Sequence, residues 1–128
     1  MSENRTPDIT AVVTIYNLGN YLDPCLSSLA RQTLSNFEVI MVDDHSTDGS
    51  NSLVEHWAQK DSRFIAAHLP ERSGVSAARN YGIDHAHAPI ICFVDGDDLV
   101  EPNYLETFVT GMSQPGVDRV TAGYTWGG

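Results

Sequence analysis

The fold of this chain is decided by Ile90-Ile91-Cys92-Phe93-Val94-Asp95-Gly96-Asp97-Asp98-Leu99-Val100-Glu101-Pro102. Residues 90–94 are apolar without interruption and rich in β-formers, a run that reads as a buried strand rather than a helix. The strand leads straight into Asp95, Asp97 and Asp98, so its end presents three carboxylates close together. Carboxylates that close repel one another, and burying them unpaired is costly. The cluster must therefore face water, a cation, or both. Hard oxygen donors of this kind suit magnesium, manganese or calcium rather than zinc. In open α/β sheets, ligands bind outside the carboxyl ends of the strands, and this cluster falls at such an end.

Working outward, strands and helices alternate on both sides of that stretch. Ile9–Ile15 is a β-branched run and reads as the first strand, ending in a polar turn over residues 16–20. Asn20 is placed to cap the next helix, in which Leu22, Cys25, Leu26 and Leu29 follow the i, i+3, i+4, i+7 spacing. Pro24 is compatible with the start of that helix. Residues 37–42 read as a second strand and 43–50 as the loop after it. A second helix places Leu53, Val54, Trp57 and Ala58 on one face. Phe64–His68 is a short third strand, residues 71–74 a loop and Val75–His85 a third helix. Beyond the acidic stretch, residues 103–112 read as a helix and 120–124 as a fifth strand. This alternation predicts an α/β domain with a mostly parallel sheet, right-handed crossovers and helices on both faces. Residues 1–8 read as a flexible arm and 9–128 as the folded part. The last strand lacks the element that usually covers it, so the chain is expected to be the front part of something larger, truncated at its C-terminal side.

The 128 residues allow one domain with a real core, and 41% hydrophobic content is ordinary for a globular protein. No apolar run approaches the roughly 20 residues of a transmembrane helix, and residues 1–8 are too polar for a secretory signal. The expectation is a cytoplasmic chain, with membrane association left to any longer form. Cys25 and Cys92 fall in apolar patterns and read as buried free thiols. A formal charge of −10 argues against nucleic acid and anionic membranes as partners. It also strengthens the case for a metal. A phosphate ligand would find few cations here, with Lys60 the only lysine, and a divalent ion at Asp95, Asp97 and Asp98 would supply the missing charge.

Three loops should meet at the carboxyl ends of the strands: residues 14–17, 43–48 and 95–98. Asp43-Asp44 after a β-rich run also suggests a receiver domain, but no lysine follows position 60. Asp44, Ser46, Asp48, Gly49 and Glu55 match positions of an EF-hand calcium loop, yet such a loop follows a helix and this one follows a strand. His85 and His87, two apart at a helix end, are poorly spaced for joint metal binding, and His45 is a surface residue by default. Neither a phosphate-binding Walker loop nor a dinucleotide fingerprint is present. Arg79 and Asn80 lie on a helix that starts after a Gly-containing loop. Arg79 either pairs with an acidic cluster or reaches a phosphate or nucleoside with its bidentate fork.

Taken together, residues 12–17, 26–33, 37–50, 74–80 and 93–98, with Pro102 following, closely resemble the ordered motifs of family 2 glycosyltransferases. The resemblance covers roughly residues 9–112 and implies a GT-A (Rossmann-like) fold, with 9–128 as the nucleotide-sugar-binding half. It implies a metal-dependent inverting transfer from a nucleotide-diphosphate sugar, a UDP-sugar in the first instance, to a glycan or lipid-linked acceptor, as in polysaccharide biosynthesis. By position in the motifs, Thr14 and Tyr16 line the base and ribose pocket, with Asn17 and Asp43 beside them. Asp44 accepts a hydrogen bond from the base, and Arg79 lies near the nucleotide. Asp95 contacts ribose or sugar, Asp97 binds Mn2+ or Mg2+ as the last carboxylate of an Asp-x-Asp motif, and Asp98 stands next to it. The family's general base falls at no carboxylate of this chain, so no catalytic residue is assigned. Two other readings compete: a nucleotide-sugar-binding module without catalysis, and a nucleotidyltransferase-like protein. The second would want a basic, Gly-rich loop after the first strand, and residues 16–20 hold no basic residue.

Overall fold

The computed structural model describes residues 6–112; the fifth strand expected at 120–124 lies outside them, as do residues 1–5 of the N-terminal arm. Four strands form one parallel sheet: β1 (Ile9–Ile15), β2 (Phe37–Asp43), β3 (Phe64–His68) and β4 (Ile91–Asp95). Their order is β3-β2-β1-β4. The chain therefore builds outward from β1 through β2 to β3, then crosses back to place β4 on the other side of β1. Register is fixed by Ile9 opposite Phe37, Val39 opposite Phe64, and Thr10 opposite Ile91. With all strands parallel, their carboxyl ends lie on one edge. Ile15 is level with Asp43, Asp43 with His68, and Thr14 with Asp95.

The side chains of a strand alternate between faces, and that period sorts the core into two layers. On one face, Ile9, Ala11, Val13 and Ile15 of β1 join Phe37, Val39 and Met41 of β2. Against them pack α1 (Leu22–Ala30), α2 (Ser50–Lys60) and α4 (Tyr104–Met112), through Leu22, Leu26 and Leu29, through Val54 and Trp57, and through Leu105 and Phe108. On the other face, Val12, Ile40 and Val42 meet Ala78 of α3 (Val75–His85). Helices on both faces of a parallel sheet are what the alternation predicts. Both cysteines are free and buried. Among the described residues, no helix is long and apolar enough to cross a membrane.

Boundaries differ from the sequence reading by a residue or so, with β2 running on to Asp43 and β4 spanning Ile91–Asp95. Asn20 is not a helix cap. It lies inside a 3-10 turn, Gly19–Tyr21, that leads directly into α1, and no side chain caps either element. Continuous helical backbone through Tyr21 leaves no extended residue for a capping geometry.

Candidate functional site: a cavity at the carboxyl ends of the strands

The strand order reverses across β1, and a crevice forms there between the ends of β1 and β4. A cavity of about 340 Å³ occupies it, lined by Thr14, Tyr16, Asp44, Arg72, Asp95 and Asp97 among others. That volume lies at the lower end of ligand pockets, ~300–1,000 Å³. Apolar walls come from Ile15, Leu18, Val75 and Ala78.

Each polar group is set by an identifiable contact. Asp44 follows β2 and is almost wholly buried, at 2% exposure. Its carboxylate accepts from the amides of Ser73 (2.7 Å) and Gly74 (2.9 Å) and is paired with Arg72. Gly74 precedes α3 at φ 98°, a backbone region that favours glycine, so both amides reach one carboxylate at the helix N-terminus. Burial pushes the Asp44 carboxyl up, but the Ser73 and Gly74 amides and then Arg72 outweigh it and hold it below the usual carboxylate range. The Arg72 guanidinium carbon also lies over the Tyr16 ring, 3.7 Å from its centroid. Cation, ring and buried carboxylate together form one wall of the cavity.

The opposite wall is the acidic turn. Gly96 N donates to the Thr14 carbonyl at 3.0 Å, which ties the turn to the end of β1. Thr14 Oγ1 reaches Asp95 Oδ1 at 3.5 Å. One oxygen from each of Asp95, Asp97 and Asp98 lies within 4.8 Å of the others, and Asp95 and Asp97 are exposed. Among the described residues, the guanidinium paired with this cluster is that of Arg79, whose Nη2 is 4.0 Å from Asp95 Oδ1, one cation against three carboxylates. Converging, solvent-facing carboxylate oxygens with unmet charge fit a divalent cation such as Mg2+ or Mn2+. Beneath the turn, Cys25 Sγ lies 3.6 Å from the Asp95 carbonyl. Burial and then the charges of Asp98, Asp97 and Asp95 push its thiol up to about 12.

The sequence-derived candidates divide. Thr14, Tyr16, Asp44, Asp95 and Asp97 line one cavity, with Asp98 joined to it through the carboxylate cluster and Arg79 through Asp95. Asn17 and Asp43 do not line it. Asn17 is used internally, with its Oδ1 accepting the Thr47 amide at 2.7 Å and its own amide donating to Ser46 Oγ. Asp43 faces the other side of the sheet, where it accepts from Ser46 N and sits 3.2 Å from His68 Nδ1. There it helps line a second cavity together with His45, Glu55 and His68. The EF-hand match fails in space as well: Asp44 turns to Arg72, and Asp48 to the amides of Gly19 and Ser50. His87 binds Glu38 and His85 stacks on Tyr81, so the two do not act together. Arg72 was missed by sequence reasoning. Its only signal is that it is the one basic residue in the loop before α3.

Comparison with known proteins bears on the family and the fold. The sequence pattern described as Glycosyl transferase family 2 matches residues 10–127. Glycosyltransferase GlyG of Streptococcus pneumoniae is 37% identical over 116 residues, covering 91% of this chain and 38% of GlyG. TarS of S. aureus, residues 1–349 in complex with UDP-GlcNAc, superposes with a TM-score of 0.76 at 30% identity over 82% of this chain and 31% of that one. The mannosyltransferase PcManGT of Pyrobaculum calidifontis, in complex with GDP-Man and Mn2+, gives 0.77 at 29% identity over 88% and 34%. The chain thus spans between 31% and 38% of each of these proteins, with the GT-A α/β sheet as the shared part.

Proposed function

The chain belongs to glycosyl transferase family 2, and on that premise we propose that its cavity is the donor site of a metal-dependent, inverting glycosyltransferase. The observation that carries this reading is the pairing of two walls across one crevice: Tyr16, Arg72 and Asp44 on one side, three converging carboxylates on the other. The first wall suits a nucleoside, since a planar ring can lie against Tyr16 while Asp44 and Arg72 offer an acceptor and donors at its edge. Thr14 and Asp95 are placed for ribose or sugar hydroxyls. Asp97, with Asp98 and Asp95, would hold a manganese or magnesium ion. Such an ion, when bound, supplies Lewis-acid charge to the leaving diphosphate. Arg79 adds a fixed positive charge beside Asp95. The donor is proposed as a UDP-sugar, in keeping with the UDP-GlcNAc complex of TarS; the GDP-Man complex of PcManGT makes GDP the alternative to test.

Inversion in a single displacement needs a general base on the acceptor hydroxyl. Among the described residues, the carboxylates lining the cavity are Asp44, Asp95 and Asp97. Asp44 already accepts three hydrogen bonds, and the other two are assigned to donor and metal. The base is therefore proposed to lie outside residues 6–112, as is the site for a glycan or lipid-linked acceptor.

Calorimetric titration of UDP and of GDP into the chain, with and without manganese, tests the donor site. Binding of one nucleotide should require manganese, and Asp97→Ala should abolish the metal-dependent part while leaving the melting temperature nearly unchanged, because Asp97 is exposed. A folded chain that binds neither nucleotide, or an Asp97→Ala variant that binds as the wild type does, would overturn the reading.

A further inference from the structure

The acidic turn is held from beneath by one face of α1. Cys25 and Ser28 lie three apart on one face of α1, and Gln32 follows two residues past the helix end, its side chain turned back to the Ser28 carbonyl. Each one tethers a successive point of the loop. Cys25 Sγ lies 3.6 Å from the Asp95 carbonyl. Ser28 Oγ accepts the Val100 amide at 3.2 Å while donating to the Cys25 carbonyl at 2.7 Å. Gln32 is 8% exposed and uses its whole carboxamide. Its Nε2 donates to the carbonyls of Ser28 (3.2 Å) and Glu101 (2.6 Å), and its Oε1 accepts the Leu105 amide at 2.8 Å. Leu105 belongs to the first turn of α4, where an amide has no acceptor within its own helix.

The tethers fall at 95, 100, 101 and 105. Residues 97–99 form the arc between them, and that arc carries two of the three converging carboxylates. Their mutual repulsion pushes the arc open, so something must hold its ends. A leucine at 32 would fill the junction of α1 and α4 without desolvating an amide. A fully satisfied buried carboxamide instead fixes the distance between specific backbone atoms. We propose that Gln32 is a positioning residue for the acidic turn, setting the approach of Asp97 and Asp98 to Asp95 and thereby the affinity for a divalent cation with a nucleoside diphosphate. This rests on the donor-site reading above.

The test uses Gln32→Leu, Ser28→Ala and, as a control at the same junction, Thr33→Val, which removes only the hydroxyl bond to Glu106 of α4. Manganese-dependent UDP affinity (GDP if that is the nucleotide bound) is measured by calorimetry well below each melting temperature. Amide hydrogen exchange of Asp98 and Val100 is followed without ligand. Gln32→Leu should weaken affinity about tenfold, the lower end of what loss of a supporting contact does at metal sites. It should also speed exchange at Asp98 and Val100, neither of which Gln32 touches. Thr33→Val should lower the melting temperature but change affinity less than about twofold. If Gln32→Leu does not fold, Ser28→Ala is read in its place, with the same expected direction. A folded Gln32→Leu with wild-type affinity and exchange overturns the proposal and leaves the donor site standing. Equal weakening by Thr33→Val overturns it too, by showing general loosening of the junction. A folded wild-type chain that binds neither nucleotide overturns the donor site and this proposal with it.

Discussion

Gly96 stands between two of the cavity's carboxylates, and its lack of a side chain is a matter of space. A Cβ there would lie 2.4 Å from Leu18 Cδ1, 3.0 Å from the Thr14 carbonyl oxygen and 3.2 Å from Ile15 Cγ1. The Leu18 methyl can swing away, but the Thr14 oxygen is backbone and accepts the Gly96 amide. Gly96→Ala must therefore lift the turn off β1. We expect it to cost ~1–2 kcal/mol of stability by overpacking. Manganese-dependent nucleotide binding should weaken by about tenfold, since Asp95 and Asp97 flank the residue that moves. Calorimetry beside a thermal melt separates the two effects; unchanged affinity would mean that the turn can shift without spreading its carboxylates. Arg72 makes a complementary point about single residues. A side chain that no motif singled out becomes the partner of the most deeply buried carboxylate at the site.

Between elements, the second cavity shows how β2, β3 and α2 are joined. His68 of β3 sits with Nδ1 3.2 Å from Asp43 of β2 and Nε2 2.6 Å from Glu55 of α2. Two carboxylates on one ring favour the imidazolium, which can donate from both nitrogens. Burial pulls its pKa down, but the hydrogen bonds it donates to Glu55 and Asp43 outweigh that, and the folded value stands above the ordinary 6.5. A raised histidine pKa contributes stability that is fully present below the unfolded value and is lost as pH rises through the folded one. The melting-temperature gap between wild type and Glu55→Gln should thus be wider at about pH 6 than at about pH 8.5. A gap independent of pH would show that His68 is not protonated in the fold. His68 is partly exposed, which screens the pair and keeps the effect modest.

Across the whole molecule, the close fit of α3 on the sheet shapes one wall of the first cavity, because Val75 and Ala78 of that helix line it. The fit depends on Gly82. A Cβ at this position would lie 2.3 Å from Val12 Cγ1 and 2.6 Å from Cγ2, in the layer where Val12 has no exposure. Alanine would gain up to ~1 kcal/mol of helix propensity, whereas overpacking a closed layer costs ~1–3 kcal/mol. Overpacking should win, so Gly82→Ala lowers the melting temperature. It should also weaken nucleotide binding, because α3 can relieve the clash only by moving away from β1. A melting temperature at or above wild type would show that Val12 can turn aside.

Within residues 6–112, the sequence by itself determined which segments are the four strands and four α-helices, because run length, β-branching and 3.6-residue spacing are local properties. It also determined that three loops would share one edge, since parallel strands put every carboxyl end there, and that a carboxylate cluster would stand on that edge. Tertiary structure alone decided how neighbours divide. Asp43 and Asp44 are adjacent, yet one faces His68 and Glu55 and the other faces Arg72, according to which helix covers each side of β2. The partners that settle these roles lie far along the chain: Arg72 is 28 residues from Asp44, and Asn17 is 30 from the Thr47 that claims its side chain. Asn20 stays uncapping because it lies inside a 3-10 turn, closed by the Tyr21 amide on the Leu18 carbonyl, that runs directly into α1. Hydrogen bonds and ion pairs across such separations depend on strand order and register, which no window of neighbouring residues contains.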